Sequence, residues 1–332
     1  MGSRPGRDFR PELRRDPISN VLVLIADREG RPSGKLREEY GPQDACPFCP
    51  GSEDRTPKPV LLLPEGADET NWRVRVVPNL HAAVTKEIGL AHTGVWLFDQ
   101  ATGYGYHEVV IESRDHYDML WRMAEDQAVL IIDAWCDRLR YMRQDPNVRY
   151  VSIFRNYRIT AGASLLHPHS QIIAIPVTPP SVAAKLKYAR EYYAEHSRCV
   201  FCDLISNEIA FGRRIIVETE HFIALAPYAS RVPFEMHLYP RRHQHDILDM
   251  TSEEKWGLVR ILQDVLGRLF AYLGDWNEEL QTDMNAPYNL VLYTSPSKHP
   301  RPGKPDYWGT IEMDFHWHIE VIPRVTRLAG FE

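Results

Sequence analysis

Two histidines, a serine and a glutamine stand together in His167-Pro168-His169-Ser170-Gln171. The run that follows, Gln171-Ile172-Ile173-Ala174-Ile175, is apolar and β-branched, and Pro176 stops it, so it reads as a strand. Side chains alternate along a strand, which places His167, His169 and Gln171 on one face. Pro168 cannot donate to a ladder and argues for an edge or a bulge at this point. A solvated edge strand with incidental histidines is the plain alternative. Three polar groups at period two, behind the Gly/Ser-bearing turn at residues 161–165, fit a chemical site better. A neutral imidazole is a competent nucleophile near neutral pH. Attack on phosphorus would give a phosphoramidate. Gln171 can donate hydrogen bonds to phosphoryl oxygens but cannot shuttle a proton. Gly162 and Ser164 could add backbone and hydroxyl donors. The set fits phosphoryl or nucleotidyl transfer.

A second group of residues suits a metal. Four of the five cysteines form the pairs Cys46-Pro47-Phe48-Cys49 and Cys199-Val200-Phe201-Cys202. In a cytoplasmic protein this spacing favours metal or redox chemistry over structural disulfides. The fifth, Cys136, sits in an apolar helical pattern and reads as a buried core thiol. Each half also offers one distant histidine and the first histidine of a His-x-His strand. Two Cys with two His make a tetrahedral zinc set. The sets are Cys46, Cys49, His116 and His167, then Cys199, Cys202, His243 and His316. Four protein ligands leave no open position, so both zincs are expected to be structural. With His167 on zinc, His169 is left free on the same strand face.

The elements that must carry these groups repeat. Strands are expected at residues 21–26, 72–77, 106–111 and 150–154. A helix between the last two places Ala128, Ile131, Ile132, Trp135, Leu139 and Met142 on one face. Pro176, Pro179 and Pro180 mark a linker, followed by a short helix over residues 183–195. The second half gives strands at 222–225, 234–239 and 288–293. A helix opened by a Thr251/Glu254 capping box carries Leu258, Ile261, Leu262, Val265, Leu269 and Tyr272 at the same offsets as the first. A last strand holds His316-Trp317-His318. The plan CxxC, strand, His, helix, strand, His-x-His occurs twice, which predicts a duplicated α+β unit. A chain of 332 residues suits two such units at roughly 150 residues each. The net charge, 39 − 45 = −6, with no basic block, argues against nucleic acid as a partner. No apolar run reaches membrane-spanning length and no signal peptide is visible, so a cytoplasmic protein is expected.

The motifs together resemble the galactose-1-phosphate uridylyltransferase branch of the histidine-triad superfamily, including the related ADP-glucose phosphorylase type. The resemblance runs over nearly the whole chain. It rests on Pro11-Glu12-Leu13-Arg14-Arg15-Asp16-Pro17, the CPFC at 46–49, Pro78-Asn79-Leu80, Phe154-Arg155-Asn156, HPHSQ, Val217-Glu218-Thr219-Glu220-His221 and the final Gly330-Phe331-Glu332. It implies an α+β fold of two histidine-triad-like halves, residues 1–176 and 177–332, each an antiparallel sheet with packed helices. It implies His169 as the nucleophile of a covalent nucleotidyl-histidine, with the His167 carbonyl fixing its ring, and Gln171 on the nucleotide phosphate. Asn156, Gly162 and Ser164 match phosphate and ribose contacts, and Asn79 the base and ribose region. Arg28 and Arg31 match loop arginines that reach the phosphates, often from the partner subunit of a homodimer. Glu332 matches a glutamate on sugar hydroxyls.

The chain departs from the family pattern at Ser170, where Gly is usual, and at Ala163, where Cys is common. Its second CxxC is closer to the plant ADP-glucose phosphorylase type, and it stops at Glu332 where relatives continue. The expected activity is transfer of a nucleoside monophosphate from a nucleotide sugar to a sugar 1-phosphate. UDP-glucose with galactose 1-phosphate is the first choice, and an NDP-sugar phosphorylase using inorganic phosphate is the alternative. A histidine-triad hydrolase is disfavoured by Gln171, where a third histidine would stand. A zinc-stabilised binding protein is disfavoured by an intact His169.

Overall fold

The computed structural model describes residues 11–15, 22–25, 46–279, 286–300 and 308–325. In chain order the strands of the first half are β1 (Glu12–Arg15), β2 (Leu22–Ile25), β3 (Leu61–Leu63), β4 (Val74–Pro78), β5 (His92–Val95), β6 (Phe98–Thr102), β7 (Tyr106–Ile111), β8 (Tyr150–Tyr157) and β9 (His169–Ile175). Helix α1 (Glu125–Met142) joins β7 to β8. The second half has α2 (Pro180–His196), α3 (Val200–Phe211), β10 (Ile215–Glu218), β11 (Phe222–Leu225), β12 (Met236–Pro240), α4 (Ser252–Glu279), β13 (Tyr288–Tyr293), α5 (Ile311–Asp314) and β14 (His318–Pro323).

Ten strands form one antiparallel sheet in the order β10-β11-β12-β14-β13-β8-β9-β7-β4-β3. Read from either edge inward the topology is the same. β3-β4-β7-β9-β8 mirrors β10-β11-β12-β14-β13, and α1 occupies the place that α4 takes in the second set. The duplicated unit seen in the sequence is thus realised as two five-stranded sheets fused through β8 and β13. A four-stranded sheet, β2-β1-β6-β5, stands apart.

Helices α1 and α4 cover one face of the large sheet. Ile131, Ile132, Trp135, Leu139 and Met142 are fully buried against Val76, Val110, Ile153 and Ile172. Burying one such side chain contributes on the order of 1.5–3 kcal/mol. The α4 face follows the expected spacing from Leu258 to Leu269 but not to its end. Tyr272 is 66% exposed and packs its ring on Phe234, while Leu273 turns inward. The Thr251/Glu254 capping box forms in both directions, Glu254 N to Thr251 Oγ1 at 3.2 Å and Thr251 N to Glu254 Oε2 at 2.8 Å.

Other expectations change as well, among them the last strand, which starts at His318 and not at His316. The strand after His-Pro-His is not at an edge: β9 lies between β7 and β8. Pro168 precedes its first residue, so the missing N–H interrupts no ladder, and the Pro168 carbonyl accepts from Glu112 N at 3.0 Å. Pro180 does not sit in a linker but opens α2, because proline suits the first helical turn, where N–H groups have no partner. The strand expected from residue 234 starts at Met236, because Phe234 has φ +63 and ends a turn.

Candidate functional site

The other face of the sheet carries the polar residues. Ser170, Ile172 and Ala174 face α1, so His169 and Gln171 face away from it. Ser170 is fully buried and its hydroxyl accepts from the Trp135 indole N–H at 2.8 Å. The serine that stands in a usual glycine position therefore points into the core and leaves the histidine face untouched.

His169 is 6% exposed. Its Nδ1 donates to the His167 carbonyl at 2.8 Å, which leaves Nε2 unprotonated. Burial lowers its pKa to about 4, and Arg155 adds to the effect. The ring is therefore a neutral imidazole at physiological pH. Arg155 forms a fully buried ion pair with Glu112. Sequence patterning gives no hint of this pair, since its members lie 43 residues apart.

Both cysteine and histidine sets converge. In each, the four ligand atoms lie within 4.8 Å of one another. Cys49 Sγ is 3.3 Å from His116 Nδ1 and 3.5 Å from His167 Nδ1. Cys202 Sγ is 3.3 Å from His243 Nδ1 and 3.7 Å from His316 Nδ1. A tetrahedral zinc with Zn–S of about 2.3 Å and Zn–N of about 2.0–2.1 Å sets S···N near 3.6 Å. The outer nitrogens are also arranged for a metal. His167 Nε2 donates to Ser113 O at 2.8 Å, His243 Nε2 to Glu312 O at 2.9 Å and His316 Nε2 to Pro240 O at 2.8 Å. Each bond leaves Nδ1 as the bare ligand atom. The hydrogen bond between the two thiols draws Cys199 down and pushes Cys202 up, so without an ion the pair shares one proton that a metal would have to displace. These clusters can hold metal ions. Cys136 lies elsewhere in the core, where burial raises its thiol to about 12.

The remaining candidates divide. Asn156 lies on β8, two residues past Phe154, which is paired with Gln171. Its oxygen accepts from Asn289 Nδ2 at 2.7 Å. Gly162 closes a 3-10 turn at φ +94, a conformation that favours glycine, and its N–H is spent on Ile159 O at 2.8 Å. Ser164 is exposed near this turn. Asn79 follows β4 and its Nδ2 lies 3.0 Å from His107 Nε2. Arg28, Arg31 and Glu332 lie outside the described residues. No motif singles out His107, although alternation along β7 puts it on the face of Val109 and Ile111. Its Nε2 is 2.8 Å from Gln171 Oε1.

The second half repeats the histidine geometry without its opening. His318 Nδ1 donates to the His316 carbonyl at 3.0 Å, as His169 does to His167. Its Nε2, however, stands 2.8 Å from Lys185 Nζ. Lys185 is paired with Glu320, which also binds Arg231 at 2.6 Å. The Tyr293 ring stacks on His318 at 4.9 Å. An ammonium and a ring occupy the space that a substrate phosphate would need, so of the two His-x-His strands only the first presents a usable nitrogen.

The chain matches the model of the galactose-1-phosphate uridyl transferase N-terminal domain over residues 21–179 and that of the C-terminal domain over 185–325. It is 30% identical to an ADP-glucose phosphorylase of Arabidopsis thaliana, over 97% of this chain and 87% of that one. It is 29% identical to a galactose-1-phosphate uridylyltransferase of Thermotoga maritima, over 94% and 86%. The structure of an Arabidopsis thaliana ADP-glucose phosphorylase with bound ADP-glucose superposes with a TM-score of 0.71 at 27% identity, covering 97% of this chain and 92% of that one. A uridylyltransferase structure gives 0.73 at 27% identity, with 97% and 90% covered.

Proposed function

The chain belongs to the galactose-1-phosphate uridyl transferase family and is a transferase, and on that premise we propose how its residues carry the reaction. His169 Nε2 attacks the α-phosphorus of a nucleotide sugar. A P–N bond forms, the P–O bond to the sugar phosphate breaks, and hexose 1-phosphate leaves. The His167 carbonyl, bound to Nδ1–H, stabilises the positive charge that the ring then carries. In the second step a phosphate oxygen of the acceptor attacks the same phosphorus, the P–N bond breaks, and His169 returns to its neutral form. The carrying observation is the His169 ring, neutral, buried and fixed through Nδ1 so that Nε2 keeps its lone pair.

Gln171 holds the transferred phosphate, Asn156 and Ser164 contact phosphate and ribose, Gly162 lets them approach through its lack of a side chain and not through its N–H, and Asn79 contacts base and ribose. Arg28 and Arg31 reach the phosphates from a partner subunit of a homodimer, and Glu332 binds sugar hydroxyls. The halves at 1–176 and 177–332 each hold one structural Zn2+. The donor sets and the histidine bonds to carbonyls support that ion. The five described thiols are all unbridged, in keeping with a cytoplasmic site of action. Among the described residues no helix is long and apolar enough to cross a membrane.

For substrates we take UDP-glucose and galactose 1-phosphate first. The second reading, ADP-glucose phosphorolysis, is favoured by the second Cys/Cys/His/His set and by the match to the Arabidopsis thaliana enzyme. Incubation with UDP-glucose plus galactose 1-phosphate, and separately with ADP-glucose plus inorganic phosphate, decides between them by the products on anion-exchange chromatography. UDP-galactose and glucose 1-phosphate would support the first, ADP and glucose 1-phosphate the second. Net hydrolysis to nucleoside monophosphate alone would contradict both.

A further inference from the structure

Gln171 is gripped from behind by a histidine whose tautomer a backbone N–H sets. His107 is 7% exposed on β7, the strand that pairs with β9. Its Nδ1 accepts the Ala83 backbone N–H at 3.0 Å. A backbone N–H can only donate, so Nδ1 carries no proton and the ring holds its proton on Nε2. That nitrogen faces Gln171 Oε1 at 2.8 Å and Asn79 Nδ2 at 3.0 Å. The Asn79 oxygen is taken by His81 N at 2.9 Å, so Asn79 sets its NH2 group beside Nε2–H, a contact of two donors and not a hydrogen bond, and cannot accept. The Gln171 carbonyl oxygen is the acceptor, whichever way its amide is turned at the outset.

An amide with its oxygen bound has only its NH2 end left to offer. Turned the other way, it would aim a carbonyl oxygen at an anionic phosphate. Asn156 is treated alike, since its oxygen accepts from Asn289 and its NH2 group stays available. We propose that His107 is a positioning residue for nucleotidyl transfer, whose Nε2–H locks the Gln171 amide with its protons toward the phosphate transferred at His169. This deepens the function proposed above and rests on it.

The test is a double-mutant cycle on the rate of nucleotidyl-enzyme formation, with UDP-glucose as probe, or ADP-glucose where only that labels the protein. Zinc content and thermal midpoint are measured alongside. His107→Leu should slow adduct formation by about tenfold, the scale of one hydrogen bond to a charged group. In the Gln171→Ala background the same substitution should change the rate by no more than about twofold, because coupled residues are not additive. His107→Gln keeps a donor near the Nε2 position and should restore the rate to within about threefold. Equal slowing by His107→Leu in both backgrounds would overturn the proposal, as would no slowing in either. Should His107→Leu fail to fold, His107→Gln decides: a rate held within that limit supports the proposal, and a larger loss that persists in the Gln171→Ala background overturns it. If Gln171→Ala alone forms the adduct at the parent rate, or His169→Ala still labels, the proposal goes down together with the function beneath it.

Discussion

Replacing Ser170 by alanine should weaken the protein and spare its chemistry. Ser170 is next to His169 in sequence, yet its hydroxyl lies on the opposite face of β9, bound to the Trp135 indole at 2.8 Å. Both side chains are fully buried. Ser170→Ala leaves the indole N–H without an acceptor and without water, at a cost of about 1–3 kcal/mol. Ser170→Gly adds roughly 0.5–1 kcal/mol for a glycine in a strand interior. With a urea m value of roughly 3 kcal/mol/M, the alanine variant should unfold at a midpoint lower by about 0.3–1 M. The rate of nucleotidyl-enzyme formation should stay within about twofold, since the two faces of a strand are separate. Urea unfolding followed by tryptophan fluorescence, with adduct formation by mass, measures both. A tenfold loss of rate with an unchanged midpoint would refute the strand-face assignment on which the site rests.

Elemental analysis should find two zincs per chain, and Cys46→Ser and Cys199→Ser should each lose one. Structural zinc in small peptides contributes about 10–16 kcal/mol, against a typical fold stability of about 5–15 kcal/mol, so both variants should also be poorly folded. His167→Ala should lose one zinc while His169→Ala keeps both; equal loss would break the division of labour between the two histidines. Thermal stability should fall as pH drops below 6.5, where His237 begins to contribute, and further as it drops below 4.5, where the two carboxyls do. Burial would raise the Glu235 and Glu320 carboxyls, but Arg231 at the first and Lys185 at the second hold both below the ordinary 4.5, while burial holds His237 below 6.5. Their contribution is complete above those ordinary values and is lost as pH falls through the lower values of the folded state. Glu320→Gln should lower the thermal midpoint at pH 7 and flatten its decline, and parallel curves would contradict this.

The twofold plan was legible because its marks are periodic or chemical. The α1 stripe from Ala128 to Met142 and both Cys/Cys/His/His orders fold as their spacing indicated. What the sequence hid is pairing between distant segments. Pro168 carries an edge signal in its local chemistry, which is silent on the start of β9 one residue later. Nothing local to Val200–Phe211 announced α3, which carries Cys202 in its first turn. The β5–β6 hairpin has exposed residues throughout β5 and so lacks the alternation that reveals a half-buried strand. The Lys185 ammonium beside His318, and His107 behind Gln171, join residues 133 and 64 positions apart. Such juxtapositions are set by sheet order and α2 docking, not by any motif. They decide which histidine is open and which way the amide faces.

The central claim is a covalent bond between His169 and a nucleotide. Intact-mass measurement of the zinc-loaded protein with a nucleotide sugar and no acceptor tests it directly, provided the work-up avoids acid, to which a phosphoramidate is labile. One nucleoside monophosphate should be added per chain with release of hexose 1-phosphate, the mass should name the base, and His169→Ala should add none. Turnover without any adduct, or an adduct that survives His169→Ala, would contradict it.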